Sequence, residues 1–377
     1  MKTVAVWKRE WLPPSETFVR NQMDYLIEWR SLAFGVRRLD SILSRESDVI
    51  LFGEGLRERA ALMLFRLRGH SSRVTRFLRD ERVDVVHAHF GSEAVSIWRQ
   101  CKKARIPLVV TLHGHDITAA PLTRGFAGWR YRRRLRRMFS YASRVIVVSE
   151  FVRQRAIAYG ADRDKTSLRY IGIPIADVDR TAVAPRWDIA FVGRLTHKKG
   201  VRDLLAAVAS LKSTGVEASV VVVGSGPLTD ELWAYARDNG LRVDFLGHQS
   251  PAEVRETLAR SRMFVAPSRT AEDGDAEGFG LVFLEAAAAG LPVVSYAHGG
   301  VVEAVEHDVT GLLCTEGNVE ELAVAIGRLL ADPRLASAMG EAGRARAVRD
   351  FDIRLRNEEL ERDYDAALLG VEPSLAD

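Results

Sequence analysis

Cysteine and long apolar runs are both scarce in this chain. Its 377 residues include two cysteines, Cys101 and Cys314, which lie far apart and outside any CxxC pattern. This argues against a disulfide framework and against a zinc site built on paired cysteines. No stretch approaches the roughly 18 apolar residues of a membrane span, and the first run, 4–7, ends at Lys8, short of a signal-peptide core. We therefore expect a cytoplasmic protein.

A large net charge is also absent, because two halves of opposite sign nearly cancel to +4. Residues 1–185 contain 34 Lys and Arg against 19 Asp and Glu, whereas residues 186–377 contain 20 against 31. A basic first half predicts an anionic partner, either nucleic acid or a membrane leaflet. A solvated arginine-rich surface is the alternative.

Valine-rich apolar runs recur along the chain, and most of them precede an amphipathic stretch. They cover residues 83–87, 107–111, 144–148, 187–192, 218–223, 243–246, 263–267 and 292–296. Uniformly apolar runs followed by helical patterns are typical of parallel strands buried on both faces in βα units. The pattern predicts an α/β class with a doubly wound sheet in each half.

The length predicts two domains, since 377 residues exceed one ordinary core. Helical and strand periodicity lapses at 171–185, where prolines appear and the charge balance changes sign. We predict an N-terminal Rossmann-like domain over 1–172 and a linker over 173–186. A C-terminal Rossmann-like domain over 187–350 follows, with a final helix and tail over 351–377.

Two glutamates, Glu277 and Glu285, bracket a glycine-flanked apolar run. On a single helix their Cα atoms would lie roughly 12 Å apart, farther than the ~5–9.5 Å between the carboxyls of a glycosidase pair. Gly278 and Gly280 predict a loop that becomes a helix at Leu281, and such a helix start suits a phosphate. The pattern favours contacts with two ends of a long ligand; a chance spacing on a salt-bridging helix is the alternative.

A second polar segment, Gly193–Gly200, directly follows the predicted strand 187–192. Its Arg194 and Lys199 would stand at the carboxyl end of a strand, where ligands of open α/β sheets bind. Two cations at that place can neutralise a departing diphosphate. Pairing with acidic neighbours is the alternative.

Several motifs together resemble one large family. The segments G-R-L-T-H-K-K-G at 193–200, G-S-G-P at 224–227 and E-G-F-G-L-V-F-L-E at 277–285 resemble the retaining nucleotide-sugar glycosyltransferases of GT-B architecture, of the group 1 or family 4 type. The segments P-S-E-T-F at 14–18 and T-L-H-G-H-D at 111–116 resemble members that build exopolysaccharide or other cell-surface glycans. The resemblance covers nearly the whole chain. It implies two Rossmann-like domains facing a cleft, an N-terminal acceptor domain and a C-terminal donor domain, with a C-terminal helix crossing back.

The resemblance also implies roles for individual residues. Those implied in catalysis are His113, Arg194, Lys199 and Glu277. Those implied in donor binding are Gly193, Gly224, Gly226, Gly278, Phe279, Gly280, Leu281 and Glu285. Candidates on the acceptor side are Ser15, Glu16 and Asp116. The implied reaction moves a hexose from a UDP- or GDP-linked donor to a glycan or lipid-linked acceptor with retention, without a metal or another cofactor.

Other enzyme classes have weaker support. The D-x-D patterns at 273–275 and 177–179 imitate metal-dependent transferases of another fold, but we expect no metal at either. Gly224–Thr229 followed by Asp244 imitates a dinucleotide fingerprint. Thr229 replaces its third glycine and Pro227 lacks an N–H, so an NAD-dependent oxidoreductase is a minor alternative. A non-catalytic protein that binds a nucleotide sugar or nucleic acid is another.

The densest basic segment is Arg130–Arg137. On a helix, Tyr131, Leu135, Met138 and Phe139 would form an apolar stripe with arginines on the other faces. The stripe would either lie on anionic lipid at the inner face of the plasma membrane or pack into a domain core. No nucleic acid is expected as partner, because the known recognition signatures are absent.

Overall fold

The computed structural model describes residues 1–175 and 184–370. The chain divides into two compact units. The first combines the chain up to Pro174 with the segment that begins at Ile353, and the second takes the described residues from Ile175 to Asp352. No helix in the described ranges is long and apolar enough to cross a membrane.

The first unit is a parallel sheet with helices between its strands. The described strands are β1 (Lys2–Trp11), β2 (Trp29–Arg38), β3 (Val49–Ile50), β4 (Val85–His89), β5 (Leu108–Leu112), β6 (Arg144–Val147) and β7 (Thr166–Leu168). The helices are α1 (Thr17–Asp24), α2 (Leu56–Arg68), α3 (Ser72–Asp80), α4 (Gly91–Ala104), α5 (His115–Thr118), α6 (Gly125–Tyr141) and α7 (Glu150–Ala158). The strand order is β3-β2-β1-β4-β5-β6-β7. The chain adds β2 and β3 on one side of β1 and the later strands on the other, so the order of connection reverses between β1 and β4.

The second unit repeats this plan. Its described strands are β8 (Trp187–Val192), β9 (Ser219–Val223), β10 (Arg242–Gly247), β11 (Ser261–Val265), β12 (Val293–Tyr296) and β13 (Gly311–Cys314). The helices are α8 (Val201–Ser213), α9 (Thr229–Asp238), α10 (Pro251–Ala259), α11 (Leu281–Ala288), α12 (Val301–Ala304), α13 (Val319–Ala331) and α14 (Pro333–Phe351). The parallel order β10-β9-β8-β11-β12-β13 reverses between β8 and β11.

The last helix, α15 (Ile353–Leu369), belongs to the first unit. Its Leu360 and Tyr364 join one buried cluster with apolar residues of β1, β4, β5 and β6. The carboxylate of Glu361 accepts hydrogen bonds from three successive backbone N–H groups at 27–29, two of them at 2.7 and 2.8 Å. The C-terminal helix therefore completes a core that includes Val4 of β1.

The sequence predicted the class and most of the central strands. Each of the eight valine-rich runs overlaps an observed strand, and the ends of the run and the strand differ by at most two residues. The expectations omitted β1, β2, β3, β7 and β13. In β1 the apolar alternation is interrupted by Lys8, Arg9 and Glu10, and Lys8 is itself buried.

Candidate active site

The principal polar cluster of the second unit lies at the carboxyl ends of β8 and β11. Strand order reverses between these strands, and open α/β sheets bind ligands at such a point. A 3-10 turn, His197–Lys199, follows β8. The Nζ of Lys199 lies 2.5 Å from Oε2 of Glu277, and both side chains are largely buried. Two residues implied in catalysis are thus in direct contact.

The charge of Glu277 is fixed by two lysines. Burial alone would raise the pKa of this carboxyl, but Lys199 and then Lys198 hold the pKa below its ordinary value. Lys198 itself pairs with Asp275, its Nζ lying 3.0 Å from Oδ2. Glu277 is therefore a carboxylate at neutral pH and can accept hydrogen bonds from ligand hydroxyls.

His298 is hydrogen-bonded to the backbone of Glu277, and the sequence interpretation did not identify it. The backbone N–H of Glu277 donates to Nε2 of His298 at 3.1 Å. The Nδ1 of His298 lies 3.2 Å from a carboxylate oxygen of Glu316. Burial lowers the pKa of His298, so the neutral ring with its proton on Nδ1 satisfies both contacts. The available signal was a histidine two residues after the valine-rich strand β12 and directly before Gly299-Gly300.

Gly300 allows the loops after β11 and β12 to approach closely. Its N–H donates to the carbonyl of Glu277 at 2.9 Å. A Cβ at Gly300 would lie 2.1 Å from the carbonyl oxygen of Gly278, well inside van der Waals contact. Any larger residue would displace the backbone beside Glu277.

Three of the glycines implied in donor binding lie in the loops that follow β8 and β9, where Gly224 packs on Gly193 and Gly226 packs on Leu195. Gly193 and Gly224 meet so closely that a Cβ on Gly224 would lie 2.0 Å from the carbonyl oxygen of Gly193. Gly224 has a φ of +129°, which a side chain would strain. Gly226 donates its N–H to the hydroxyl of Thr229 at 3.2 Å. The absence of side chains at these glycines lets the two loops approach each other closely. The contact of these loops with a donor stays a prediction.

Helix α11 starts beside Glu277. Gly280 precedes it with a φ of +88° and no side-chain cap, so the first turn, from Leu281, has backbone N–H groups without intrahelical acceptors. Gly278 lies in the loop before it, and Phe279 is buried against Phe351, with ring centroids 5.7 Å apart. The predicted loop-to-helix transition is confirmed, with the helix starting at Leu281.

Glu285 lies one turn inside α11 and differs from Glu277. Its carboxylate makes no hydrogen bond or ion pair with the described residues, and burial raises its pKa to about 7. The guanidinium of Arg194, after β8, is exposed and is likewise unpaired within the described chain. The alternative that both cations pair with acidic neighbours therefore holds for Lys199 and not for Arg194.

The first unit has a comparable pair at its own strand-order reversal. The Nζ of Lys8, on β1, lies 2.5 Å from Oε2 of Glu16, the residue before α1, and both side chains are buried. Burial raises the pKa of Glu16 in spite of Lys8. Ser15, in the preceding turn, is exposed. The acceptor-side roles predicted for Ser15 and Glu16 stay predictions.

His113 follows β5 in the same unit. Its Nε2 lies 3.1 Å from Nδ1 of His89, and the rings of Phe18 and Phe90 have centroids 4.7 and 4.6 Å from its own. Burial, with a contribution from Lys8, lowers the pKa of His113 far below its ordinary value. The imidazole is therefore neutral at physiological pH and can donate one hydrogen bond and accept another.

Asp116 connects the loops that follow β4 and β5. Its buried carboxylate accepts backbone N–H groups from Gly91 at 2.7 Å, Gly114 at 2.9 Å and His113 at 3.2 Å. Burial raises its pKa. These contacts favour a role in holding the loop of His113; the acceptor-side assignment of Asp116 stays a prediction.

The residues that imitate other enzyme classes have local partners. Asp275 is paired with Lys198, and the backbone N–H of Asp275 donates to the carboxylate of Asp273 at 2.9 Å. The pattern at 177–179 lies outside the described residues. Asp244, the acidic residue of the apparent dinucleotide fingerprint, accepts a hydrogen bond from the indole of Trp187 at 2.7 Å.

The apolar stripe of α6 is core. Leu135, Met138 and Phe139 are each at most 1% exposed, and the hydroxyl of Tyr131 donates to the carbonyl of Asp116 at 2.9 Å. Of the two alternatives, the domain-core interpretation is correct for the stripe. The arginines within 130–137 face outward for the most part.

Comparisons with known proteins agree with this geometry. Residues 178–346 match the family "Glycosyl transferases group 1", and residues 42–177 match "Glycosyltransferase Family 4". The amylovoran biosynthesis glycosyltransferase AmsK of Erwinia amylovora is 29% identical over 74% of this chain and 69% of its own length. A GDP-mannose-dependent phosphatidylinositol monomannoside mannosyltransferase of Mycolicibacterium smegmatis is 33% identical over 67% and 68%, respectively.

The fold is also found among solved structures. Anabaena HepE, crystallised in complex with UDP, superposes with a TM-score of 0.78, covering 97% of this chain and all of that one, at 23% identity. At this identity the likeness shows the shared two-unit architecture of parallel sheets.

Proposed function

The chain belongs to the group 1 glycosyltransferases, and from that premise we propose a specific reaction. The protein transfers a hexose from a UDP- or GDP-linked donor to a glycan or lipid-linked acceptor, with retention at the anomeric carbon, in the synthesis of a surface polysaccharide. Neither a metal nor another cofactor takes part. The observation that carries the proposal is the buried contact between Lys199 and Glu277 at the strand-order reversal of the second unit.

The proposed donor site uses the groups around that contact. Lys199 and the unpaired Arg194 neutralise the diphosphate, assisted by the first-turn N–H groups of α11. Glu277, held ionised by its lysines, accepts hydrogen bonds from the sugar hydroxyls. Glu285, which lacks a partner within the described residues, accepts those of the ribose.

The proposed reaction is a front-face substitution. The bond between the anomeric carbon and the diphosphate oxygen breaks while a bond to the acceptor oxygen forms on the same face. The acceptor proton passes to the departing phosphate, so no protein nucleophile is required. Lys199 and Arg194 act by stabilising charge that grows on the leaving group. His113, a neutral imidazole, offers a hydrogen bond to a sugar hydroxyl.

The relatives support the pathway and both candidate bases. AmsK is named for amylovoran biosynthesis, the mycobacterial relative is GDP-mannose-dependent, and HepE was solved with UDP. For this chain the acceptor side is proposed to lie near Ser15 and Glu16. We place the protein in the cytoplasm, at the inner face of the plasma membrane, with the exposed arginines of 130–137 contributing to contact with anionic lipid.

An oxidoreductase remains the rival in a different class. It requires a free acidic residue after the second strand of its dinucleotide unit, whereas Asp244 is bonded to Trp187. Thermal unfolding of the purified protein with UDP, GDP, ADP, NAD and the corresponding nucleotide sugars tests both hypotheses. Stabilisation by UDP or GDP that is lost in Glu285→Ala supports the proposal. Stabilisation by NAD alone overturns it.

A further inference from the structure

Strands β4 and β5 carry two successive pairs of hydrogen-bonded polar side chains. His87 and His89 are two residues apart on β4, so they point to the same side of the sheet. Nε2 of His87 lies 2.8 Å from Oγ1 of Thr111, and Nδ1 of His89 lies 3.1 Å from Nε2 of His113. Both contacts join residues 24 positions apart, as parallel strands in a constant register allow. The second pair lies nearer the carboxyl end of the sheet, where His113 follows β5.

The first of these pairs belongs to the core of the unit. The hydroxyl of Tyr364, on α15, lies 2.8 Å from Nδ1 of His87, so both ring nitrogens of His87 have a partner. Burial lowers the pKa of His87 to about 3, and the ring is therefore neutral. No nitrogen of His87 is left for a ligand.

The second pair differs, because each of its rings keeps one nitrogen without a partner. Nε2 of His89 and Nδ1 of His113 have no hydrogen-bond partner among the described residues. Burial lowers the pKa of both rings well below the ordinary value, so both are neutral and carry one N–H each. One of these two N–H groups lies in the shared hydrogen bond. The pair therefore retains one donor and one acceptor for other partners, in either tautomer.

Aromatic side chains fix the plane of the His113 ring. The centroids of Phe18 and Phe90 lie 4.7 and 4.6 Å from that of His113, each at an interplanar angle of 45°. Such packing cannot distinguish the imidazole from the same ring rotated by 180° about its bond to Cβ, because both orientations fill the same volume. The hydrogen bond to His89 does distinguish them, because the rotation would place Cε1 where Nε2 lies.

The backbone of Phe90, directly after His89, has an unusual conformation. Its φ is +73°, a steric outlier for a bulky residue. Its N–H donates to the carbonyl of Thr111 at 2.8 Å, and Nζ of Lys8 lies 4.3 Å from the centroid of its ring. Strained conformations persist where the surrounding contacts over-determine them, and they concentrate at functional sites. The strain therefore indicates that this part of the chain is constrained for a role beyond packing.

We propose that His89 is a positioning residue, whose Nδ1 binds Nε2 of His113 and thereby presents Nδ1 of His113 to the transferred sugar. This inference rests on the proposed function, which gives His113 a hydrogen bond to a sugar hydroxyl. A hydroxyl both donates and accepts hydrogen bonds, so it fits His113 in either tautomer. His87 takes no part, because Tyr364 and Thr111 occupy both of its nitrogens.

NMR of the histidine rings tests the positioning without turnover. In protein labelled with ¹⁵N-histidine, long-range ¹H–¹⁵N correlations identify the tautomer of each ring, and His113→Ala identifies the signals of His113. We expect one neutral tautomer of His113 in the wild type and in His89→Asn, whose side-chain amide can replace Nδ1. His89→Leu has no polar atom at this place and should give both tautomers. An unchanged His113 spectrum in His89→Leu would overturn the proposal.

Steady-state transfer from the stabilising nucleotide sugar gives the kinetic test. His89→Leu should lower kcat about tenfold and leave the KM for the donor unchanged, because the proposed diphosphate contacts lie in the second unit. His89→Asn should recover most of this loss. His89→Phe, with a larger side chain, should lose as much as His89→Leu, which would exclude a cavity as the cause. Equal losses in His89→Asn and His89→Leu, or a raised KM with unchanged kcat, would overturn the proposal.

A double-mutant cycle shows whether His89 acts through His113. His113→Ala alone should lower kcat about a hundredfold, and H89L/H113A should be no slower than H113A. Losses that multiply would give His89 an independent role and overturn the proposal.

Tyr364→Phe is the matched control in the first pair. It removes the hydroxyl bonded to His87 and keeps the packing of the ring, so the unfolding temperature should fall while kcat and the tautomer of His113 stay as in the wild type. A fall in kcat equal to that of His89→Leu would make the effect a general one of the buried polar pairs and overturn the proposal.

The positioning role and the proposed function fail in different ways. A wild-type protein with neither transfer nor stabilisation by a nucleotide, but with the expected tautomers, would overturn the proposed reaction and leave the orientation of His113 by His89 in place. An active enzyme in which His89→Leu changes neither the tautomer nor kcat would overturn the positioning role alone.

Discussion

Each unit places a lysine and a glutamate in buried contact where its strand order reverses, and the two pairs behave differently. Both Nζ–Oε2 distances are 2.5 Å. Lys8 and Glu16 are eight residues apart and belong to one strand-to-helix connection. Lys199 and Glu277 are 78 residues apart and join loops that follow two different strands. The first pair is local, whereas the second requires β8 and β11, which are distant in sequence, to lie side by side.

The pKa values of the two glutamates also differ, and they shift in opposite directions. Burial dominates at Glu16 and raises its pKa, with Glu93 and Glu10 opposing the pull of Lys8. Two lysines outweigh burial at Glu277 and lower its pKa. Equal geometry therefore yields opposite electrostatics, because the surrounding charges differ. A carboxylate that must stay ionised for a ligand needs the second cation.

The largest effect should come from breaking the second pair. Lys199→Met removes the cation that faces the proposed diphosphate, so we expect kcat to fall by about 10²–10³-fold, together with the thermal stabilisation by the donor nucleotide. The measurement is steady-state transfer from the stabilising nucleotide sugar. Lys8→Met is the matched variant in the first unit and should leave the nucleotide-dependent stabilisation intact. Equal loss of that stabilisation in both variants would contradict the division of roles.

The next largest effect should be on the free energy of unfolding, when Glu285 is replaced. Burial raises its pKa to about 7, so the folded state holds this proton more tightly than the unfolded state does. Its ionisation destabilises the fold as pH rises from about 4.5 to about 7. Glu285→Gln should then be more stable than the wild type at pH 8 by up to about 2–3 kcal/mol, and should lose nucleotide binding.

Chemical denaturation at pH 5 and pH 8 measures this difference. Glu217→Gln changes an exposed loop glutamate and should show no pH-dependent gain. A Glu285→Gln protein that is less stable than the wild type at pH 8 would mean that the carboxylate has a stabilising partner in solution.

His298 also distinguishes the two pairs, because among the described residues no histidine accepts the backbone N–H of Glu16. His298→Ala leaves the N–H of Glu277 without its acceptor, and we expect a loss of about 1–2 kcal/mol in the free energy of unfolding with a raised KM for the donor. His298→Gln can supply an amide oxygen near the position of Nε2 and should recover part of both losses. Identical KM values for the two variants would limit His298 to a packing role.

The smallest effect should come from Lys198→Met, in which the pKa of Glu277 should shift in the direction seen at Glu16. Lys198→Met removes one of the two cations that lower the pKa of Glu277 and also breaks the Lys198–Asp275 ion pair, so the pKa of Glu277 should rise. A carboxyl with a depressed pKa stabilises the fold above its unfolded pKa of about 4.5 and loses this as pH falls through its folded value. The difference in unfolding free energy between pH 7 and pH 4 should shrink by about 1 kcal/mol, whereas Lys102→Met, at an exposed site, should not change it.

The sequence predicted the second pair better than the first. Lys199 and Glu277 lie in segments with recognisable glycine spacing after valine-rich runs, so their residue types could be interpreted before their contact was known. Lys8 interrupts the apolar pattern of β1, and periodicity cannot show that its charge is neutralised by Glu16. His298 carries no motif, since its role depends on a backbone N–H that only the folded loop presents.

Helix α2 was missed for a related reason. Its apolar residues follow the spacing of an ordinary amphipathic helix, and the sequence cannot tell a stripe that is buried from one that is left outside. In α6 the same kind of stripe is core. In α2, by contrast, Met63 and Leu67 are exposed, and Phe65 is the one buried residue.

The position of α15 has a consequence for biosynthesis. Tyr364 packs on Trp29, with ring centroids 5.2 Å apart, and its hydroxyl lies 2.8 Å from Nδ1 of His87. The first unit therefore cannot complete its core until α15 has left the ribosome. The second unit, continuous in sequence, can fold while translation is still under way. The first unit, whose segment up to Pro174 is translated before the second unit, therefore matures after it. A chain truncated before Ile353 would expose that unfinished core to chaperones and proteases.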